Sequence, residues 1–346
     1  MRVLSLFDGM SCGRIALDRA GISVSKYYAS ELDKYAITVT QANWPNTLQM
    51  GDVTKWREWD IDWSSIDLLI GGSPCQGFSF AGKQLAFDDP RSKLFFVYVD
   101  ILNHIRSVNP DVKFMLENVK MKKEFLAVIS EQLGAEPVFI NSALVSAQNR
   151  QRYYWANWEF GQPSDKGIVL ADIIEHPPTN VTIMTDTFST RQHGRKCLVS
   201  EPKDKAVSLS SMEYVKNGRQ GDYLECDSEV LCVVFNDRVK GVTENSRGFR
   251  YNKGDKAKSG ISELGRILKP SAAYTDALTT SHMPKLALNK DTNNLMYRKL
   301  TPVECERLQT VPDGYTDKGI SNTQRYKMLG NGWTVDVIAH IFRSMQ

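Results

Sequence analysis

Over its first 160 residues the chain alternates short apolar runs with helix-forming stretches, and this alternation most narrows the folds open to it. The run at 3–7 is followed by a helical stretch at 13–20, 26–30 by 33–43, 67–70 by 92–106, and 112–117 by 122–133. Repeated strand-then-helix units bury each run between crossover helices, which predicts an α/β architecture with a doubly wound, mainly parallel sheet. Further strands are expected at 138–143 and 153–158, with Gln148-Asn149-Arg150-Gln151-Arg152 between them as the end of a hairpin. Ligands of such sheets bind where strands end, so the residues just after each run are where chemistry is expected.

From 161 to 297 the alternation is lost. Gly, Pro, Asn and Ser are scattered among short β-prone pieces such as 230–235, which predicts a smaller, loop-rich, partly β domain. Helical pattern returns with Thr301-Pro302-Val303-Glu304, where proline suits the first helical position, and 333–345 closes as an amphipathic helix. The expected division is therefore 1–160 plus 298–346 for one domain and 161–297 for the other. A chain of 346 residues is long enough for both.

A formal net charge of +3 does not by itself call for a polyanionic partner. Local clustering does more: 238–269 holds nine Lys or Arg against three acids, with Phe249 and Tyr251 interleaved, and Arg247, Arg250 and Lys253 suit phosphate contacts. The six cysteines show no metal-ligand spacing, so no metal is expected. With neither a secretory leader nor an apolar run near 18 residues, no membrane association is expected either, and the thiols should stay reduced in a cytoplasm.

The strand ends carry the polar residues. Phe7-Asp8-Gly9-Met10-Ser11-Cys12-Gly13 is strand, glycine turn and helix start, which suits a nucleotide-like cofactor. Glu31, about 20 residues on, can accept from ribose hydroxyls, and Asp52 in Gly51-Asp52-Val53 can accept from an adenine amine; an NAD site would look much the same. Cys75 follows Gly71-Gly72-Ser73-Pro74, where a buried run meets a loop, better posed to attack an electrophile than to fill a core. Glu117 ends another apolar strand, and apolar surroundings there would favour its neutral form and let it donate to a ring nitrogen. Arg150 and Arg152, two apart on an extended segment, point the same way and can hold a carbonyl, carboxylate or phosphate.

Taken in order, these segments resemble the DNA (cytosine-5)-methyltransferase family, of bacterial and phage type. The resemblance runs through Phe7-Asp8-Gly9, Ser30-Glu31, Gly51-Asp52, residues 71–84, residues 91–96, Glu117-Asn118-Val119, residues 148–152, residues 298–302 with Glu304 and Arg307, and Gly330-Asn331-Gly332. It implies the class I S-adenosylmethionine-dependent methyltransferase fold, with 161–297 as target-recognition domain. It also implies a reaction: Cys75 attacks C6 of a flipped-out cytosine in double-stranded DNA, Glu117 engages N3, Arg152 with Arg150 orients the base, and C5 takes the methyl group. S-Adenosylmethionine, leaving as S-adenosylhomocysteine, would sit among Phe7, Gly9, Met10, Glu31, Leu32, Asp52, Val53, Pro74, Leu94, Asn331 and Trp333. Gln76, Ser79 and Lys83 would approach the DNA from a loop at 76–89 that closes over the base, and Arg91 from just beyond it.

Two departures stand out. Ser11 occupies the place of the family's second glycine, as in the branch containing vertebrate de novo methyltransferases, which predicts a shifted backbone path; Gly332-Trp333 stands where Ser-Val is common. A tRNA cytosine-5 methyltransferase of the same fold is the nearest alternative, and an NAD-linked oxidoreductase or a DNA-binding protein without activity are more distant ones. The resemblance further implies a monomer in a bacterial or phage-infected cell, partnered by a restriction endonuclease where the role is restriction–modification; phage self-protection and regulatory methylation are the other roles. The target sequence is not legible.

Overall fold

The computed structural model describes residues 1–73, 93–175 and 300–345, together with the backbone of short strands between 188 and 299. It divides into two compact units, one of Met1–Ile168, Ala277–Ser281 and Cys305–Gln346, the other of Val169–Asp276 and His282–Glu304.

The first unit is built on strands β1 (Arg2–Leu6), β2 (Lys26–Ser30), β3 (Leu48–Gln49), β4 (Leu68–Gly71), β5 (Lys113–Val119), β6 (Val138–Asn141), β7 (Gln148–Asn149) and β8 (Gln151–Ala156). All but β7 form one sheet in the order β3-β2-β1-β4-β5-β8-β6, parallel except for β8, which runs against both neighbours. Every residue of β4 is buried, as expected of a strand covered by helices on both faces. The core joins Leu4 and Leu6 of β1 to Leu69, Phe114, Leu116 and Trp155 and to the inward face of α3 (Lys93–Val108), with Phe95, Tyr98 and Leu102.

Register puts the chemistry at one edge. Leu6 is level with Ser30 on one side and with Gly71 on the other, and Gly71 is level with Leu116. Glu117 therefore stands one step beyond the end of β4, beside Gly72. Strand order reverses between β1 and β4, which opens a crevice at their carboxyl ends.

Helices α1 (Cys12–Arg19), α2 (Lys34–Asn43) and α4 (Lys123–Leu133) complete the crossovers. The strand expected to run to 143 ends at Asn141 instead, because the Asn141 side chain accepts from Ala143 N–H and starts a 3-10 turn. A hairpin does join β6 to β8. Near the end of the chain lie α6 (Pro302–Leu308), α7 (Asn322–Asn331) and α8 (Val335–Arg343). Thr301 and Glu304 form a reciprocal cap at the start of α6, each side chain bonding the other's backbone N–H. The apolar face of α8 is buried, and the helix packs against α1, where Asp336 receives Arg19 and Lys166, each at 2.5 Å.

In the second unit the described residues include the short helix α5 (Leu170–Ile173), two two-stranded hairpins and a five-stranded sheet. That sheet runs in the order Val242–Asn245, Gly248–Tyr251, Arg266–Leu268, Lys285–Ala287, Tyr297–Lys299. The last of these strands pairs with Lys285–Ala287, so the backbone returns to the first unit at Cys305, whereas the sequence set that return at 298.

Candidate active site

The chain leaves β1 through Phe7-Asp8-Gly9-Met10-Ser11, and Phe7 (φ 57°), Gly9 (φ 58°) and Ser11 (φ 63°) all take left-handed backbone. For residues other than glycine that conformation costs about 1–2 kcal/mol, so it must be held by its surroundings. Asp8 does the holding. Its buried carboxyl accepts the Tyr27 hydroxyl at 2.7 Å and the Ser11 hydroxyl, which also lies 3.0 Å from that of Thr40. Ser11 is thus held in the left-handed conformation that glycine adopts freely. Burial pushes the Asp8 carboxyl up to about 6 despite these hydroxyl donors.

The turn is tied to the end of β2. Gly9 N–H donates to Glu31 Oε2 (2.8 Å), while Leu32 and Asp33 N–H donate to Oε1 (2.7 Å each). Asp52 caps the short helix Val53–Glu58: its Oδ1 accepts Thr54 N–H and hydroxyl, and these bonds hold the carboxyl below its ordinary value.

A crevice of about 470 Å³ lies over this edge, within the roughly 300–1,000 Å³ typical of small-molecule sites. Phe7, Gly9, Glu31, Leu32, Asp52, Val53, Leu94, Glu117, Arg150, Arg152, Asn331 and Trp333 all line it. Leu32 is 70% exposed and forms an apolar rim. Met10 is not among the lining residues: it is buried, packs where Gly332 leaves room, and its carbonyl accepts the Tyr315 hydroxyl. Asp8, Cys12, Ser73 and Met328 also line the crevice, although the sequence did not single them out. Polar Asp8 and Ser11 just after a buried, mainly apolar strand were the signal available for the first; nothing marked Cys12, whose thiol burial pushes up to about 12. Pro74, Cys75, Gln76, Ser79, Lys83, Arg91, Arg247, Lys253 and the loop at 76–89 lie outside the described residues, as does the side chain of Arg250.

Glu117 is opposite Tyr154 in the β5–β8 ladder, and Arg152 is opposite Val119. Two residues apart on one face, they meet diagonally, with Arg152 Nε 2.8 Å from Glu117 Oε1. The other carboxylate oxygen, Oε2, accepts the Trp333 indole N–H at 3.1 Å. The apolar surroundings expected for Glu117 are therefore replaced by a buried ion pair and a polar donor. Its neighbour Asn118 reaches Ser73 Oγ at 3.4 Å, joining this strand end to the segment that leads to Cys75.

Arg150 lines the same crevice with a different task. Its buried guanidinium donates to the carbonyls of Gly330 (3.4 Å) and Gly332 (2.9 Å), and burial, reinforced by Arg152, lowers it to about 10, still protonated near neutrality. Gln309 adds bonds to the Leu329 and Gly332 carbonyls, so the segment 329–333 is clamped from behind.

A crevice over a strand reversal, floored by a glycine turn and an acid after the second strand, suits a nucleoside cofactor beside a second substrate. With antiparallel β8 set between β5 and β6, the sheet is that of the class I S-adenosylmethionine-dependent methyltransferases. An Entamoeba histolytica methyltransferase of solved structure, EhMeth, shares it with a TM-score of 0.62 at 15% identity, over 100% of this chain and 97% of that one. The chain belongs to the C-5 cytosine-specific DNA methylase family, whose family model matches residues 1–346. It is similar to the orphan methyltransferase M.SPRI of Bacillus phage SPR, 27% identical over 100% of this chain and 97% of that protein. It is also similar to the type II methyltransferase M.HpaII of Haemophilus parainfluenzae, 28% identical over 97% and 86%. The protein is a DNA (cytosine-5)-methyltransferase, which removes the dinucleotide reading that the glycine turn and Glu31 had left open.

Proposed function

We propose that this enzyme methylates a cytosine flipped out of double-stranded DNA, with Cys75 as nucleophile and Glu117 and Arg152 as the groups that receive the base. Cys75, as its thiolate, adds through Sγ to C6, and the ring electrons move toward N3, where Glu117 in its acid form donates a proton that it takes back when the cysteine is expelled. Carbon 5 is then nucleophilic, and loss of its proton followed by expulsion of the cysteine restores the ring. S-Adenosylmethionine, when bound, supplies the electrophilic methyl group for C5. The observation that carries this reading is the Glu117–Arg152 pair, fixed on neighbouring strands, with Glu117 beside Gly72, the residue three before Cys75 in chain order. Cys12 lines the same crevice, but with its thiol pushed up to about 12 it is the neutral species and no rival nucleophile.

The residues present fit the cofactor. Asp52 has Oδ2 without a partner among the described residues and can accept an adenine amine. The Leu32 rim offers a face for the adenine ring. Glu31 is already held by three amides, so the ribose hydroxyls compete with Gly9 N–H for Oε2. Arg150 keeps the Asn331 side of the pocket in place rather than touching the base. The second unit, with the basic residues Arg247, Arg250 and Lys253, would contact the DNA. M.HpaII is named as a type II methyltransferase and M.SPRI as an orphan one, which supports protection of a defined DNA sequence, with or without a partner endonuclease.

The test offers duplex DNA and tRNA to the protein with methyl-labelled S-adenosylmethionine. Label should enter DNA as 5-methylcytosine, and bisulfite sequencing of that DNA gives the site. Cys75→Ala should abolish transfer while DNA affinity stays within about threefold, because the nucleophile acts in the transition state. Label in tRNA alone, or turnover by Cys75→Ala, would overturn the assignment.

A further inference from the structure

We propose that Trp333 is a positioning residue for Glu117, so that the segment walling the cofactor pocket also sets the orientation of the carboxylate that receives the base. This rests on the methyltransferase reading of Glu117. Space-filling would explain a large apolar side chain at 333, but the structure shows more. The indole N–H is directed at Glu117 Oε2, 3.1 Å away and buried, while Arg152 holds the opposite oxygen. A carboxylate with donors on both oxygens has its plane fixed; with Arg152 alone it can swing about that contact.

The glycines around the pair support the same conclusion. A Cβ at Gly72 would lie 2.9 Å from Trp333 Nε1 and 3.0 Å from Glu117 Oε2, and one at Gly13 would come within 3.4 Å of the indole ring. Gly72 is therefore small at the point where the two polar atoms meet. Trp333 directly follows Gly330–Gly332, whose carbonyls Arg150 and Gln309 clamp, so the indole is carried on a fixed segment. Any movement of that segment when the cofactor binds is transmitted to Glu117 through one hydrogen bond.

The experiment combines a contact readout with kinetics. In protein labelled with 15N-tryptophan, the indole resonance missing from Trp333→Phe identifies Trp333; it should shift in Glu117→Gln while the other six indoles stay put. An unmoved resonance denies the contact, whether or not the protein methylates DNA. Trp333→Phe keeps a ring but loses the donor. It should slow single-turnover methyl transfer roughly ten- to hundredfold, with S-adenosylhomocysteine affinity changed less than about threefold. In the Glu117→Gln background the same substitution should have no further effect. Gly72→Ala, which presses on both partners, should reproduce the rate loss, and it stands in if Trp333→Phe fails a thermal melting check. Equal losses of rate and cofactor affinity, additive effects with Glu117→Gln, or wild-type rates in both variants would overturn the proposal. A wild-type protein that transfers no methyl group to DNA would overturn the functional reading instead.

Discussion

Asp8 shows how one side chain can carry a local conformation. It binds the hydroxyls of Ser11 and Tyr27 from inside the core and thereby holds a serine in a glycine conformation at the mouth of the cofactor crevice. Its burial has a sign that can be measured. Between the ordinary value of 3.8 and about 6 the folded state holds a proton that the unfolded chain has given up. This group's contribution to stability is therefore full below that window and is lost as pH rises through it. Asp8→Asn removes the titration. The stability of the variant relative to wild type should rise on the order of 3 kcal/mol between the two ends of the window, as urea unfolding at several pH values would show. A flat difference would mean that Asp8 stays ionised in the fold.

The same scale separates what was legible from what was not. Glu117, Glu31 and Asp52 were visible because each stands at the end of an apolar run, and Arg152 because it lies on an extended segment entering the next one. The roles of Arg150 and Trp333 were not visible. Arg150 and Arg152 share a spacing and a direction, yet Arg152 meets a carboxylate and Arg150 two carbonyls contributed from 180 and 182 residues away in sequence.

At the level of elements, the crevice depends on one wall held from behind. The segment between α7 and α8 makes no strand of its own, and Arg150, Gln309 and the Thr334 hydroxyl, which bonds Gln309 Oε1, supply its partners. Arg150→Ala would leave the Gly330 and Gly332 carbonyls short of a buried donor. It should cost about 2–4 kcal/mol in thermal or urea unfolding and weaken S-adenosylhomocysteine binding roughly tenfold by calorimetry. Arg150→Lys should recover little, because an ammonium cannot span two carbonyls as a planar fork does. Intact cofactor affinity in the alanine variant would show that the wall stands without the clamp. Element positions were mostly readable, since apolar runs fix strands within a residue or two. The 3-10 turn after Asn141 was not, because it depends on one side chain capturing a neighbouring amide.

Across the whole molecule, the end of the chain is built into the beginning. Helix α8 lays Val337, Ile338, Ile341 and Phe342 into the core, and Asp336 is shared by Arg19 of α1 and by Lys166. Burial opposes ionisation of Asp336, but these two cations hold its carboxyl below the ordinary value, so its contribution is present above that ordinary value and is lost as pH falls below it through the lowered one. Phe342→Ala should lower stability by about 3–5 kcal/mol, and the loss should appear in the fluorescence of Trp155, inside the central sheet, as one cooperative transition. If α8 unfolded separately, the Trp155 transition would not move.

The sequence by itself determined the layers, the strand ends that carry polar groups and the family, because apolar periodicity and short ordered motifs are local properties of the chain. Only the tertiary structure decided which oxygen of Glu117 meets Arg152, that Trp333 takes the other, that Met10 turns inward, and that Ser11 adopts the backbone of a glycine. Those outcomes depend on strand register and on contacts between residues far apart in sequence, and neither is encoded in the spacing of any single segment.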